Sequence, residues 1–261
     1  MTTRIEEYAP TGDCQTLQAA PDLCRQFDAA AASWDAEHGP ASERACEFLA
    51  RMHYLHEVCR ALGRPRVLDL GCGTGQMLAR LSGSISYGLG VDASRSMIER
   101  ARHIARGPHF EFHVADAVAF CNACDGRFDL VLLTGVLEHL PDQEAAMAAI
   151  GRVLETSGRL IIVSPHPWNF LLRLKHLMSA DAEEPPARHL SPHRLSAIAN
   201  RCGLRLESIR SLPYAAWPAF GPVFARMPAP ALPSRKSRLT GVIRGAFAAE
   251  FRATRASCPS G

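Results

Sequence analysis

Residues 67–76 limit the fold more than any other part of the chain. They read Val67-Leu-Asp-Leu-Gly-Cys-Gly-Thr-Gly-Gln76, an apolar run followed by three alternating glycines. We expect a strand over Arg66–Leu70, with Asp69 near its carboxyl end, then a tight turn and a helix that begins at Gln76. Glycines in such a turn allow positive φ and close approach of the backbone to a ligand. The first N–H groups of the helix face the same place, so a ligand site is predicted there.

This stretch resembles motif I of the class I S-adenosylmethionine-dependent methyltransferases. That motif is an acidic residue, one spacer and Gly-x-Gly-x-Gly, and here Asp69 is followed by Gly71, Gly73 and Gly75. The dinucleotide fingerprint Gly-x-Gly-x-x-Gly fails, because its third glycine would fall on Gln76. A carboxylate beside the turn would also repel a pyrophosphate, whereas S-adenosylmethionine carries an ammonium and a sulfonium that it would attract. Both points count against a nicotinamide-dependent oxidoreductase, which is kept as the alternative function. For the glycines alone, a tight turn without a ligand is the simplest interpretation.

The next strand also ends in an acidic residue. Ser86 to Val91 predict that strand, and Asp92 comes directly after it. The distance from Gly75 to Asp92 is the length of one helix and a return loop. This places a carboxylate beside the turn, where it can accept both ribose hydroxyls. The segment Gly90-Val-Asp-Ala-Ser-Arg-Ser-Met-Ile98 resembles motif II of the same family. Ser94 is a predicted N-cap for the following helix.

Three further strands repeat the pattern. They are predicted over Phe110 to Val114, Phe128 to Leu133 and Gly158 to Val163. The resemblance implies that Asp116 accepts the adenine amino group, although the spacing is equally consistent with a helix N-cap. Glu138 lies in a segment similar to the family's Leu-Glu-His after strand four. Four acids thus lie at or just beyond strand ends, where parallel sheets bind ligands, and they are Asp69, Asp92, Asp116 and Glu138.

The predicted fold class is α/β. We expect a Rossmann-like, seven-stranded, mostly parallel sheet with helices on both faces, an N-terminal helical cap and a substrate-side insertion. Arg205 to Ser211 is the candidate for strand six, and Glu250-Phe-Arg-Ala-Thr-Arg255 is the candidate for an antiparallel strand seven. The predicted segments are an arm and helical cap over 1–62, a cofactor-binding core over 63–212, and a C-terminal extension over 213–261 that completes the same domain.

The N-terminal cap contains a second point of resemblance. A helical stretch that opens at Pro21 carries Phe27-Asp28-x-x-Ala31-x-x-Trp34-Asp35. Many small-molecule methyltransferases have a similar segment in a helix over the cofactor. The same spacing also describes an amphipathic helix that covers a core face. A second helix is predicted from Ser42 to Leu62, with Gly63 as its stop.

The resemblance implies a set of site residues. S-adenosyl-L-methionine is the expected cofactor, and its predicted contacts are Asp69, Gly71, Cys72, Gly73, Gly75, Asp92, Ala93, Met97, Asp116, Ala117, Thr134, Phe27 and Trp34. His139 is the favoured general base, ahead of His166 and His193. Some quinone-pathway O-methyltransferases bind a metal through Glu-x-x-Glu-His at this place. Position 135 is glycine here, so no metal is predicted.

Composition and net charge limit the possible partners and the cellular compartment. The net charge is only +3, so no global field indicates a nucleic-acid partner. The nine cysteines are scattered through predicted helices and the glycine loop, which favours a reducing, cytoplasmic location. Cys121 and Cys124 have no second pair at zinc spacing, and Cys72 is expected to serve packing.

The substrate side is apolar and basic. Its aromatic and aliphatic residues predict a small hydrophobic or amphiphilic acceptor, and they are Trp168, Phe170, Leu171, Leu172, Trp217, Phe220 and Phe224. Arg173, Lys175 and the Arg/Lys-rich tail after Arg226 suggest peripheral membrane contact. Packing on the sheet is the simpler explanation of both features. A non-catalytic S-adenosylmethionine-binding protein remains a third functional hypothesis.

Overall fold

The computed structural model describes residues 21–39, 41, 45–165, 190–213 and 245–254. The strands are β1 (Arg66–Leu70), β2 (Tyr87–Asp92), β3 (Phe110–Val114), β4 (Phe128–Thr134), β5 (Leu154–Pro165), β6 (Leu204–Pro213) and β7 (Gly245–Ala253). The α-helices of these residues are α1 (Pro21–Ala30), α2 (Trp34–His38), α3 (Ala45–Leu62), α4 (Gln76–Leu81), α5 (Arg95–Ile104), α6 (Ala117–Ala123), α7 (Gln143–Val153) and α8 (Pro192–Arg201).

The strands form one sheet in the order β3-β2-β1-β4-β5-β7-β6. Neighbours from β3 across to β5 are parallel, whereas β7 runs antiparallel to both β5 and β6. The winding direction reverses between β1 and β4, and such a switch point opens a crevice at the carboxyl ends of the strands. The predicted Rossmann-like, seven-stranded, mostly parallel sheet is confirmed.

Both faces of the sheet are covered, so its inner strands are apolar at nearly every position. Leu68 and Leu70 pack on the side of α6 and α7, whereas Val67 packs on the side of α3 and α4. The alternation follows because successive strand side chains point to opposite faces. All three are fully buried. The covered sheet therefore holds the carboxyl end of β1 rigidly in place.

The strand β7 lies inside the sheet and begins earlier than predicted. The sequence indicated a strand from Glu250, but β7 starts at Gly245 and separates β5 from β6. Its residues from Ala246 to Phe251 are buried. A strand that is covered on both faces shows no polar alternation, and its alanines carry no strand preference. For this reason the first half of β7 had no recognisable signal.

The N-terminal cap differs from the predicted single helical stretch. Here α1 ends at Ala30, α2 begins at Trp34, and the intervening turn is closed by a 3.1 Å hydrogen bond from Ser33 N–H to the Ala30 carbonyl. The helix α3 ends before Gly63, whose φ is 70°, as the sequence predicted. Residues 42–44, where that helix was expected to start, lie outside the described residues.

In the described ranges, no helix has the length and apolar character needed to cross a membrane. The predicted division into 1–62, 63–212 and 213–261 stays a prediction. The strand β7, from the last of these segments, hydrogen-bonds to β5 and β6 of the middle segment.

Candidate functional site

Asp69 occupies the carboxyl end of β1 and is fully buried. Neither of its carboxylate oxygens has a hydrogen-bond partner among the described residues. Burial raises the pKa of Asp69 to about 7, the nearby Asp92 carboxylate adds to the increase, and Arg51 opposes it. A buried carboxyl group without a partner is costly, and a cationic ligand would remove that cost.

The glycine loop is bonded to the neighbouring strand. The N–H groups of Gly71 and Cys72 both donate to the Val91 carbonyl, at 2.7 and 3.1 Å. The N–H group of Gly73 donates to Asp92 Oδ2 at 2.9 Å. These bonds hold the loop over the ends of β1 and β2, where the crevice lies.

The structure separates the roles of the glycines. Gly71 has a φ of +71°, and a Cβ there would lie 2.2 Å from the Val136 side chain. A Cβ on Gly75 would lie 2.9 Å from that of Ala101. Gly73, with a φ of +52°, meets only Trp34 Nε1 at 3.7 Å. Gly71 and Gly75 therefore serve close packing, whereas a Cβ on Gly73 would make only an ordinary van der Waals contact with Trp34.

Asp92 shapes the loop through both carboxylate oxygens. In addition to the bond from Gly73, Oδ1 accepts a 2.9 Å hydrogen bond from Ser94 N–H. Burial raises the pKa of Asp92, and these two backbone bonds oppose the increase. Ser94 caps α5 by accepting from Met97 N–H at 3.1 Å, as predicted.

Asp116 is the N-cap of α6. Its Oδ1 accepts hydrogen bonds from Val118 N–H and Ala119 N–H, each at 2.9 Å. The capping alternative is thus observed, and Oδ2 lies outside the cap. A contact of Asp116 with adenine stays a prediction.

Helices α1 and α2 lie against the loop and α5. Asp28 accepts hydrogen bonds from Ser94 Oγ at 2.5 Å and from Ser96 N–H at 3.0 Å. Asp35 accepts from Thr74 Oγ1 at 2.6 Å. The cap is therefore held to the site by two carboxylates from the predicted Phe27 to Asp35 segment.

The predicted aromatic residues meet at this cap. The Phe27 ring lies edge-on to Trp34, with centroids 5.7 Å apart, and edge-on to His139, at 5.9 Å. His139 is exposed and ends a 3₁₀ turn, Leu137–His139, whose middle residue Glu138 is buried. Consecutive residues of such a turn face different directions, so the acid of this pair points inward and the imidazole outward.

The remaining predicted residues occupy several environments. Ala93 and Ala117 are half-buried beside Asp92 and Asp116. Thr134 ends β4, and its Oγ1 is buried without a hydrogen-bond partner in the described ranges. Met97 is 1% exposed and belongs to the core, so any cofactor contact of its side chain stays a prediction.

Cys72 is buried in the loop, and burial raises its pKa well above the ordinary value. Its thiol therefore stays protonated, which is consistent with the predicted packing role. Of the other candidate residues, His193 is in α8, and His166 and the predicted substrate-side residues lie outside the described residues.

Arg51 of α3 was missed by sequence reasoning. Its guanidinium lowers the pKa values of both Asp69 and Glu138, so it lies within electrostatic range of two acids at the strand ends. Nη2 donates to Glu47 at 2.6 Å, and Nε is buried without a hydrogen-bond partner among the residues described. In sequence, Glu47 and Arg51 read as an ordinary i,i+4 surface pair of a helix. In the structure, Arg51 is mostly buried and lies within electrostatic range of Asp69 and Glu138.

Comparisons with known proteins agree with this geometry. A family model described as a methyltransferase domain matches residues 68–162. A ubiquinone biosynthesis O-methyltransferase of Xanthomonas euvesicatoria pv. vesicatoria (strain 85-10) is 26% identical over 196 residues, which cover 70% of this chain and 80% of that protein. The enzyme of the same name from Bordetella bronchiseptica (strain ATCC BAA-588 / NCTC 13252 / RB50) is 24% identical over 224 residues, covering 82% and 90%.

The fold is also found in a solved structure. The N-methyltransferase NodS from Bradyrhizobium japonicum WM9, in complex with S-adenosyl-L-homocysteine, matches with a TM-score of 0.60 and 16% identity, over 89% of this chain and 97% of that chain. The matches favour neither a nicotinamide-dependent oxidoreductase nor a non-catalytic binding protein. Residues 68–162 include Asp69, the glycine loop and Glu138. The chain carries a methyltransferase domain over residues 68–162 and is an enzyme that uses S-adenosylmethionine as its cofactor.

Proposed function

We propose that this enzyme transfers the methyl group of S-adenosylmethionine to a small hydrophobic or amphiphilic acceptor. The observation that carries the proposal is the buried Asp69 carboxylate, which has no hydrogen-bond partner among the described residues and stands beside a glycine loop. The cofactor, when bound, supplies an electrophilic methyl group on a sulfonium. Its ammonium group matches Asp69 in charge, and the cationic sulfonium adds to the attraction.

Other residues fit the remaining parts of the cofactor. Arg51 would pair with the methionyl carboxylate, because it is a mostly buried cation within electrostatic range of Asp69. Gly73 would let the backbone approach, since a Cβ there would meet only Trp34, at 3.7 Å. Asp92 would hold the ribose hydroxyls through the lone pairs left by its two backbone bonds. Asp116 would accept the adenine amino group through Oδ2. Trp34 and Phe27 would cover the cofactor from the cap.

The acceptor class has separate support. The relatives are named as O-methyltransferases of ubiquinone biosynthesis, which favours oxygen as the methylated atom. The apolar residues between Trp168 and Phe224 favour a hydrophobic acceptor, and the basic residues after Arg226 favour peripheral contact with an anionic membrane. Cysteines outside disulfides, such as Cys59 and Cys121, are compatible with a cytoplasmic location.

Cofactor binding is tested by titration calorimetry with S-adenosylmethionine and S-adenosylhomocysteine. Asp69→Asn and Asp92→Ala should each weaken binding of S-adenosylmethionine by about 10- to 100-fold, because each removes a charged partner worth about 1.5–3 kcal/mol. The matched control is Glu144→Gln, a change of an exposed acid on α7. Undiminished binding in Asp92→Ala would reject the assigned ribose site.

The acceptor is found by incubating the enzyme with labelled S-adenosylmethionine and the small-molecule fraction of a cell extract. Mass spectrometry of the labelled product should identify an apolar or amphiphilic compound. Sedimentation with anionic vesicles at low and high salt tests the membrane contact, and failure to sediment at low salt would reject it.

A further inference from the structure

Glu138 is a buried acid at the ends of β4 and β5. It follows β4 in the 3₁₀ turn and is only 5% exposed. Its Oε2 accepts a 3.3 Å hydrogen bond from Ser164 Oγ, near the end of β5. Ser164 is itself buried. The carboxylate therefore bends back over the strand ends, whereas the next residue, His139, is exposed.

Glu138 lies near the methionyl end of the proposed cofactor site. Arg51 lowers the pKa values of Glu138 and Asp69 alike, so both carboxylates are within electrostatic range of one guanidinium. Asp69 is on β1, and β4 is the strand next to it. The adenine-side residue Asp116 follows β3, at the edge of the sheet. The reactive sulfonium belongs to the methionyl half of the cofactor, so Glu138 is on the side where the methyl group leaves.

The other acids at the strand ends, and the buried Glu250 of β7, have other roles. Asp92 accepts two backbone N–H bonds, and Asp116 caps α6. Glu250 accepts from Arg159 at 2.8 Å, from Ser208 at 3.2 Å and from Tyr54 at 3.3 Å. Asp69 is matched to the cofactor ammonium. Glu138 differs from these acids, because the side chain that donates to it is a neutral hydroxyl at 3.3 Å, and its remaining hydrogen bond comes from backbone.

The protonation behaviour of Glu138 suits a proton acceptor. Burial raises its pKa to about 7, against the opposing effect of backbone and Ser164 hydrogen bonds and of Arg51. A general base is most effective when its pKa lies near the working pH. Near neutral pH a substantial fraction of the group is ionised and able to take a proton.

We propose that Glu138 is the general base of the reaction and that the acceptor is a small molecule with an ionisable hydroxyl group, such as a phenol. The inference rests on the proposed function. The acceptor oxygen attacks the methyl carbon, the carbon–sulfur bond breaks, and its electron pair stays on sulfur to leave a thioether. The acceptor O–H bond breaks at the same time, and its proton moves to a Glu138 oxygen and later to water. Ser164 is a positioning residue that orients the carboxylate.

The first test compares Glu138→Gln with Glu144→Gln, the same change at an exposed position. Initial rates are measured with labelled S-adenosylmethionine on the acceptor isolated from the extract. Glu138→Gln should lower kcat by about 10²- to 10⁴-fold, the usual contribution of a general base, and should keep the wild-type affinity for S-adenosylmethionine. Glu144→Gln should match the wild type in both.

The second test uses Ser164→Ala, which keeps the base but removes its hydrogen bond. That bond lowers the pKa of Glu138, so its loss should raise the pKa and move the acid limb of the kcat–pH profile to higher pH. A structural role for Ser164 would change the melting temperature without moving this limb.

Each outcome has a defined meaning. Three outcomes would overturn the inference. The Glu138→Gln rate could stay within about threefold of the wild type, or its affinity for S-adenosylmethionine could fall in step with the rate. The third is a product that is methylated on carbon or on a fully substituted nitrogen. All three leave the methyltransferase assignment intact. Failure of the proposed function would appear differently, as the absence of S-adenosylmethionine binding or of any labelled product in the wild-type enzyme.

Discussion

Asp35 accepts a 2.6 Å hydrogen bond from the hydroxyl of Thr74, and this bond joins the short helix α2 to the glycine loop. The residues are far apart in sequence, on opposite sides of α3. With Asp28 bonded to Ser94 and Ser96, the cap is attached to the turns after both β1 and β2. Trp34, the residue before Asp35, stands over Gly73. Release of a ligand from this loop would require the cap to move.

We therefore expect Asp35→Ala to accelerate cofactor release. Loss of a charged hydrogen bond of about 1.5–2 kcal/mol corresponds to about a 10- to 30-fold faster dissociation of S-adenosylhomocysteine. Stopped-flow measurement of tryptophan fluorescence reports the rate, since Trp34 adjoins the loop. Glu37→Ala, an exposed change on the same helix, is the control and should leave the rate unchanged. Equal rates in all three proteins would show that the cap does not gate the site.

The second prediction is that affinity for S-adenosylmethionine falls with acidification. The pKa of Asp69 is raised to about 7, and only the ionised carboxylate attracts the ammonium and sulfonium. Below that pH, affinity should fall by up to about tenfold for each pH unit, because binding must then displace a proton. Calorimetry in buffers of different ionisation enthalpy should detect the released proton. Proton release that persists in Asp69→Asn would assign the linkage to another group.

The third prediction concerns the stability of the cofactor-free protein. The pKa of Asp69 is higher when folded, about 7, than its ordinary value of 3.8, so the folded state binds more protons between these values. The contribution of Asp69 to the free energy of unfolding is thus most favourable below the lower pKa and is lost as pH rises through about 7.

Asp69→Asn should accordingly raise the melting temperature by a few degrees at pH 8, and the increase should shrink as the pH falls toward 5. Thermal unfolding followed by circular dichroism measures this difference. Saturating S-adenosylmethionine should reverse the order of the two proteins, because it stabilises only the form that binds it well. A variant less stable than the wild type at pH 8 without cofactor would contradict the unpartnered state of Asp69.

The fourth prediction concerns Arg51. Arg51→Met should weaken S-adenosylmethionine binding by at least about tenfold, since a charged contact contributes about 1.5–3 kcal/mol. It should leave binding of methylthioadenosine unchanged, because that compound lacks the methionyl carboxylate and ammonium. Calorimetry with both compounds separates the two effects, and Arg60→Met, an exposed change on the same helix, is the control. Parallel loss of both affinities would indicate a structural role for Arg51.

Local sequence determined the elements that build the site. The predicted bounds of β1 and β3 agree with the structure. The β1 sequence is a short, mostly apolar run closed by Gly71, and in β3 apolar residues alternate with Glu111 and His113. The cap formed by Ser94 could also be predicted, since a cap bonds to N–H groups only two or three residues away. The order of acids at the ends of β1, β2 and β3 followed from the same local pattern, and with it the resemblance to methyltransferases.

Tertiary structure decided the roles of particular side chains. The position of β7 between β5 and β6 depends on pairing with strands distant in sequence, and no local preference encodes it. Sequence reasoning favoured His139 as the base because it lies beyond strand four, on the substrate side, and this stays a prediction. Sequence alone could not show that Glu138, in the turn after β4, is buried. Arg51 likewise reads as a helix-surface residue until the fold brings it near Asp69. Local patterns specify backbone conformation over a few residues, whereas burial and charge proximity arise only when distant segments pack together.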